Sequence, residues 1–394
     1  MRYLIILLAL GALSVPLRAQ SDLEKKLQTQ MILAKPGDTI RIPEGKHYFS
    51  NTLWLDGKQD VALVGAGQDR TILSFARQTQ GAEGIKATHS QRIALAHFTI
   101  EDSKGDLIKT QECTDLLFAD LTARWNGKPK SSNGAYALYP VQCQRVRIER
   151  CTAIGASDAG IYVGQSDSVW VTRCYAKHNV AGIEIENTTN AWVWNNIAAY
   201  NTGGILVFDL PDLPKKAGGN VAVWNNKVVA NNHRNFAPKG NIVGKVPPGT
   251  GIMVLATRGV EIAGNSIFDN RTASTAVVSY YITENPINDK DYRPCPQGVY
   301  VRDNVYSEGK RRPTLRNKIG VLLWFKFGRK APHILYDGIA CDAADANLPA
   351  LCLGYNTNGT FANLRADNKF KNISRDAKPY RCELPTLILS DNHE

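Results

Sequence analysis

The stretch GIEIENTTNAWVWNNIAAYNTGG, Gly182 to Gly204, decides how this chain is read. It opens on the phrase Gly182-Ile183-Glu184-Ile185, passes a second alternating run at Ala191-Trp192-Val193-Trp194, and closes on Gly204-Ile205-Leu206-Val207, where the phrase begins again. Upstream the phrase is Gly160-Ile161-Tyr162-Val163, and downstream it is Gly251-Ile252-Met253-Val254. Gly160, Gly182 and Gly204 are each separated by 22 residues. A fixed period near 22 with short apolar alternations and no helical run is a repeat signature. Short parallel strands joined by corners stack as a solenoid, each strand bonding its counterpart one turn along.

Working outward, coils begin near Gly84, Gly105, Gly134, Gly160, Gly182, Gly204 and Gly251. Polar insertions at 126–133 and 209–249 account for the longer steps. The column after the second strand reads Leu121, Cys151, Cys174, Asn196, Asn226, Asn265. Three asparagines at one register predict an inward amide ladder that satisfies buried corner backbone. The expected fold is therefore all-β: a right-handed, three-sheet parallel β-helix. Residues 20–83 hold an N-terminal cap and the first coils, 84–304 the main β-helix, and 305–394 an irregular cap tied by disulfides. Ser21-Asp22-Leu23-Glu24 has the form of a capping box opening a short helix, with Leu23 and Leu27 on one face against the first coil.

The same register sets Cys113 over Cys143 and Cys151 over Cys174. Neighbouring rungs lie about 4.7–4.9 Å apart, within the Cα range of a disulfide, so both bridges are expected. In the tail, Cys341 with Cys352 and Cys295 with Cys382 is the simplest pairing.

Residues 1–19 carry Arg2, an apolar run too short to span a membrane, and Ala19 as a small cleavage residue, which reads as a signal peptide. The mature chain is expected to be exported to the periplasm or beyond, without a transmembrane segment, as a monomer. The chain of 394 residues is 43% hydrophobic and 21% charged, which excludes a disordered class. Net charge is +11, falling to +9 when Arg2 and Arg18 are lost with the leader. That balance favours anionic partners such as acidic polysaccharide. No basic-aromatic nucleic-acid module is present, and no C-x-x-C-H haem site.

Strand alternation places Glu184 and Glu186 on the outer wall with Cα atoms about 6.5 Å apart. Tyr162 and Leu206 flank Glu184, and Phe208 lies over Glu186. Gln165, Asn187 and Asp209 form an oxygen-rich column, and Asp158 sits at the corner before the strand. Three readings stand side by side. Glu184, Glu186 and Asp209 could be an acid/base set acting on sugar. Glu186 and Asp209 could be ligands of a Ca2+ ion, the single cofactor considered. Or the carboxylates form a solvated wall of charge. On the next face Trp170 stacks on Trp192, and Trp194 on Trp224. These indoles make either a platform for sugar rings or a partner protein, or core beneath the 209–249 insertion or the tail.

The phrases SDAGIYVGQS (157–166), VAGIEIEN (180–187), GGILVFDLP (203–211), NFAPKG (235–240) and PPGTGIMVLA (247–256) resemble those of pectin-lyase-like right-handed parallel β-helices. The similarity is greatest to a family of exported bacterial β-helix-repeat proteins, and it extends over nearly all of the mature chain. It implies the fold, an export route, and association with a c-type cytochrome as an exported redox partner. Fold alone supplies no reaction. Two functions follow as expectations. One is a lyase, epimerase or hydrolase acting on, or a module binding, acidic polysaccharide. The other is a non-catalytic scaffold or metal-handling accessory of a c-type cytochrome.

Overall fold

The computed structural model describes residues 22–307, 312–339, 341 and 348–388. The signal-peptide segment, its cleavage point at Ala19 and the capping residue Ser21 lie outside those residues. The expected solenoid is present. Eleven parallel strands, from Leu53–Asp56 to Phe361–Asn363, form the sheet of first strands. The second and third strands of the coils form one 19-stranded sheet that turns a corner. They merge because Gln91–Glu101 and Thr114–Arg124 each run unbroken through that corner. In the coil quoted above the three strands are Ala181–Glu186, Thr189–Trp194 and Ile197–Ala199. The interior is a continuous apolar column that includes Ile161, Ile183, Ile205 and Ile252, stacked in register.

The asparagine column is the ladder that the spacing predicts, and it is longer. Asn196 Nδ2 donates to Asn226 Oδ1 at 3.0 Å, and Asn226 Nδ2 to Asn265 Oδ1 at 3.0 Å. The file continues through Asn304 to Asn356. A second ladder, missed in the sequence, runs through Asn179, Asn201, Asn231 and Asn270 at the corner before each first strand. Each amide also donates to a strand carbonyl one coil back, as Asn201 does to Ala176. Corner backbone is thereby satisfied without water.

This second ladder explains the glycines. Gly182 and Gly204 are not left-handed corner residues but strand residues squeezed by the coil above. A Cβ at Gly182 would lie 2.6 Å from the Gly204 carbonyl and 2.7 Å from Asn201 Nδ2. The left-handed corners fall instead on residues such as Gln165 and Asn187.

The core cysteines are also corrected. Cys113, Cys143, Cys151 and Cys174 stack in the expected columns but are free, buried thiols. In-register neighbours point their Cβ atoms in parallel, so the Cβ separation stays near the rung spacing of about 4.8 Å, beyond the usual disulfide range. Each thiol serves its column as a weak donor to a carbonyl, Cys174 Sγ to Thr172 at 3.3 Å for example. The disulfides are Cys295–Cys341 and Cys352–Cys382, so the tail pairing differs from the simplest assignment.

Helix α1, Asp22–Leu33, covers the first coil through buried Leu27 and Met31. Glu24 reaches across to it, accepting from the backbone N–H groups of Ser50 at 3.0 Å and Asn51 at 2.9 Å. At the other end the segment expected to be irregular contributes Ile334–Tyr336, Leu351–Leu353 and Phe361–Asn363 to the sheets. It also supplies helix α2, Lys318–Phe327, capped by the Asn317 side chain on Gly320 N. Among the described residues no helix is long and apolar enough to cross a membrane.

Candidate functional site

Following one outward position along the sheet of first strands gives the site its axis. The file reads Trp54, Lys86, Lys109, Tyr139, Tyr162, Glu184, Leu206, Met253, Ala276, Leu335, each paired with the next. Its first part is open. Trp54 is 49% exposed. Lys86 Nζ lies 5.6 Å from the Trp54 ring centroid, and Lys109 Nζ lies 5.0 Å from that of Tyr139. Neither lysine forms an ion pair among the described residues.

From Tyr162 onward the file is covered. Glu184 is 1% exposed, Glu186 8%, Asp209 2% and Asp158 5%. The expected solvated wall of charge is therefore absent. The insertion at 209–249 lays Val243 and Val246 on Tyr162, Leu206 and Phe208, and Leu323 of α2 closes the same cluster. Gln165 and Asn187 serve the cover rather than a ligand. Asn187 Nδ2 donates to the carbonyls of Leu210 at 2.9 Å and Lys215 at 3.0 Å, and Gln165 Oε1 accepts from Lys215 N at 3.5 Å.

Burial sets the electrostatics beneath the cover. Glu186 Oε1 accepts from Tyr162 Oη at 2.6 Å. Burial lifts its pKa to about 7 against that hydrogen bond, and the Asp209 charge adds to the rise. Asp158 is likewise raised to about 7, mainly by burial, although Asn241 of the insertion donates to its Oδ2 at 2.9 Å. Burial also moves Asp209 to about 6 against a hydrogen bond from Gly218 N. Glu184 is pushed well up by burial and by the charges of Asp158 and Glu186, and its Oε2 has no hydrogen-bond partner.

The rim where the two halves meet holds residues that the sequence reading missed. Tyr136 lies tilted against both Tyr139 and Tyr162, 4.4 Å from each, ring centroid to centroid. Asp106 accepts from Tyr136 N at 3.0 Å, and burial raises it to about 6. Burial holds Tyr139 at about 12, so it is a neutral donor rather than a base at ordinary pH. The signal for these residues was the register itself: in Ile85-Lys86-Ala87-Thr88 and Ile108-Lys109-Thr110 the lysines occupy the position that Glu184 holds in its own strand.

The calcium reading does not fit this geometry. Among the described residues no three His, Cys, Asp or Glu side chains are arranged to hold a metal ion. Glu186 and Asp209 instead accept from Tyr162 and from Gly218 N.

On the second face Trp170 and Trp192 do stack, centroids 5.7 Å apart with planes at 14°, and Trp194 pairs in register with Trp224. They are not an open platform, because Leu387 of the tail packs on the group. The tail is tied down one rung further on. Leu387 N donates to buried Glu261 at 2.9 Å, Arg302 pairs with the same carboxylate, and Cys352–Cys382 anchors the strand's other end.

Residues 130–282 match the family described as right handed beta helix region. This protein is a right-handed parallel β-helix. Similar β-helices include the A-module of the Azotobacter vinelandii mannuronan C-5 epimerase AlgE6, at 13% identity over 85% of this chain and 89% of that one, with a TM-score of 0.51. An alginate lyase from Paenibacillus sp. matches at 13% identity over 72% and 92%, TM-score 0.49. A Thermotoga maritima exopolygalacturonase matches at 12% over 79% and 80%, TM-score 0.48. The likeness to the epimerase module is one of fold alone. No curated protein matches the chain.

Proposed function

We propose that this β-helix is an exported protein that engages an acidic polysaccharide along the open half of its first-strand sheet. The observation that carries the reading is the file Trp54, Lys86, Lys109, Tyr139: two cations that form no ion pair among the described residues, between two aromatic rings, one rung apart at about 4.8 Å. Aromatic faces take sugar rings, and ammonium groups take the carboxylates that such a polymer carries. The basic net charge draws the same partners.

The closed end of the file supplies acid–base capacity. Glu186 and Asp158, both near 7, can each hold or release a proton at neutral pH, and Tyr162 orients Glu186. A sugar lodged against Tyr139 and Tyr136 would meet these groups once the Asn241 contact to Asp158 opens. Lyase, epimerase or hydrolase chemistry is the finer reading, and the shared fold with a mannuronan epimerase module is in keeping with it. The burial of Trp170 and Trp192 weakens the alternative of a cytochrome-docking platform, since only Trp194 and Trp224 remain partly exposed.

The test is retention on immobilised alginate and polygalacturonate at low ionic strength, followed by a search for shortened, unsaturated or epimerised products. Lys86→Gln with Lys109→Gln should weaken binding about tenfold or more. Glu186→Gln should spare binding and abolish any product. Equal retention of wild type and the lysine double variant would refute the groove.

A further inference from the structure

The molecule has a second place where positive charge is gathered without a partner. At the far end of the solenoid a cavity of about 410 Å³ lies between the last coils and the cap. Arg271 enters it from the corner after Asn270, Arg329 and Lys330 from the segment after α2, and Arg375 from the cap. Its lining holds a single carboxylate, that of Asp269. Hydroxyl groups of Ser274, Ser307 and Thr360 complete the polar wall.

Several arginines along the coils are held by carboxylates, and the four cations of the cleft are not. Along the coils Arg145 binds Asp115, Arg150 binds Asp120, and Arg302 binds Glu261. Arg271, Arg329, Lys330 and Arg375 form no ion pair among the described residues. Arg375 rests on the Phe327 ring, its guanidinium carbon 5.0 Å from the centroid, which holds the side chain extended beside the cavity. Like charges brought together from three segments repel, and a folded protein tolerates this where an anion neutralises them.

We propose that this cleft binds a compact, multiply charged oxyanion, carboxylate or phosphate, carried by a small organic ligand. The volume lies within the range of small-ligand pockets. Guanidinium forks clamp carboxylate and phosphate oxygens in pairs, and the hydroxyls supply neutral donors. The cleft is built from the last coils and the cap, and the polysaccharide groove from the first coils.

Titration calorimetry and thermal melting at low ionic strength, with citrate and inorganic phosphate as probes, test the site. At least one probe should bind and raise the melting temperature. Citrate alone would assign a polycarboxylate, and phosphate alone a phosphate ester. Arg329→Gln with Lys330→Gln, and separately Arg375→Gln, should each lower affinity about tenfold and flatten its salt dependence. These side chains are solvent-exposed, so the variants should fold. Lys86→Gln with Lys109→Gln should leave this binding untouched, which separates the cleft from the groove. Absence of binding by both probes, or binding that survives the triple Arg329, Lys330, Arg375 variant, would overturn the proposal.

Discussion

Trp54 and Leu206 occupy the same outward position of the same sheet, six rungs apart in register, yet one faces solvent and the other is fully buried. The half of the sheet around Trp54 keeps cations and aromatics partly exposed. The half around Leu206 holds carboxylates and aliphatics under the 209–249 insertion and α2. Strand geometry determines which residues point out of a solenoid. What covers them is decided by chain that the repeat does not describe.

The largest expected effect measures that cover. Leu206→Ala should cost about 3–4 kcal/mol, since it opens a void against Tyr162 and Val246 that close-packed strands cannot collapse into. Trp54→Ala, at the equivalent open position, should cost about 1 kcal/mol or less. Denaturant unfolding of the two variants settles the matter, and comparable losses would mean that the open half is also packed against something.

The second face obeys the same rule through the tail. Cys352–Cys382 closes a loop of 30 residues and directs the segment carrying Leu387 back over Trp170 and Trp192. Cys382→Ser should lower stability by about 2–3 kcal/mol and shift indole emission to the red as the stack meets water. An unshifted spectrum would show that Glu261 and Arg302 hold the tail without the bridge.

A smaller gain is expected where the cover seals in a charge. Glu184 lies between Tyr162 and Leu206 with one carboxylate oxygen unpartnered. Glu184→Leu should stabilise the protein at neutral pH by about 1–2 kcal/mol, because an apolar side chain removes the desolvation cost. If it destabilises instead, Glu184 makes a contact that an opened insertion would reveal.

Much of this was legible in advance, and the parts that were not share one cause. The 22-residue glycine spacing and the Asn196, Asn226, Asn265 column contain the fold, because both follow from one coil lying on the next. The same register placed Tyr162, Glu184, Leu206 and Phe208 correctly beside one another. It could not reveal that Val243, forty residues downstream of Gly203, folds back on them, or that Leu387 reaches Trp192. Cysteine stacking was visible but bonding was not, since it depends on Cβ direction rather than rung spacing. The basic cleft escaped because Arg329 and Arg375, which complete it around Arg271, belong to no repeat.

The subtlest contrast between the halves is their response to pH. Asp158 and Glu186, near 7, and Asp209, near 6, are raised above ordinary carboxylate values by burial. For such groups the native state binds more protons than the unfolded chain, so ΔG of unfolding falls as pH rises. Their stabilisation is complete below the unfolded pKa near 4 and is lost as pH climbs through about 7. Glu101, on the third-strand side of an early coil, works the other way. Lys46 and Arg124 hold it at about 2 despite its burial, so its contribution is present above about 4.5 and lost only in strong acid. Between about pH 5 and 8 the covered acids should tilt the stability curve downward, and Asp106 at the rim, raised to about 6, adds to the lower part of that tilt. Asp158→Asn with Glu186→Gln should flatten that tilt and raise the melting temperature at pH 8, while Lys46→Gln should act chiefly by lowering stability at every pH above 4.5. A double variant with the wild-type slope would mean that the acid cluster is hydrated in solution, and the division of the sheet into an open and a sealed half would fail with it.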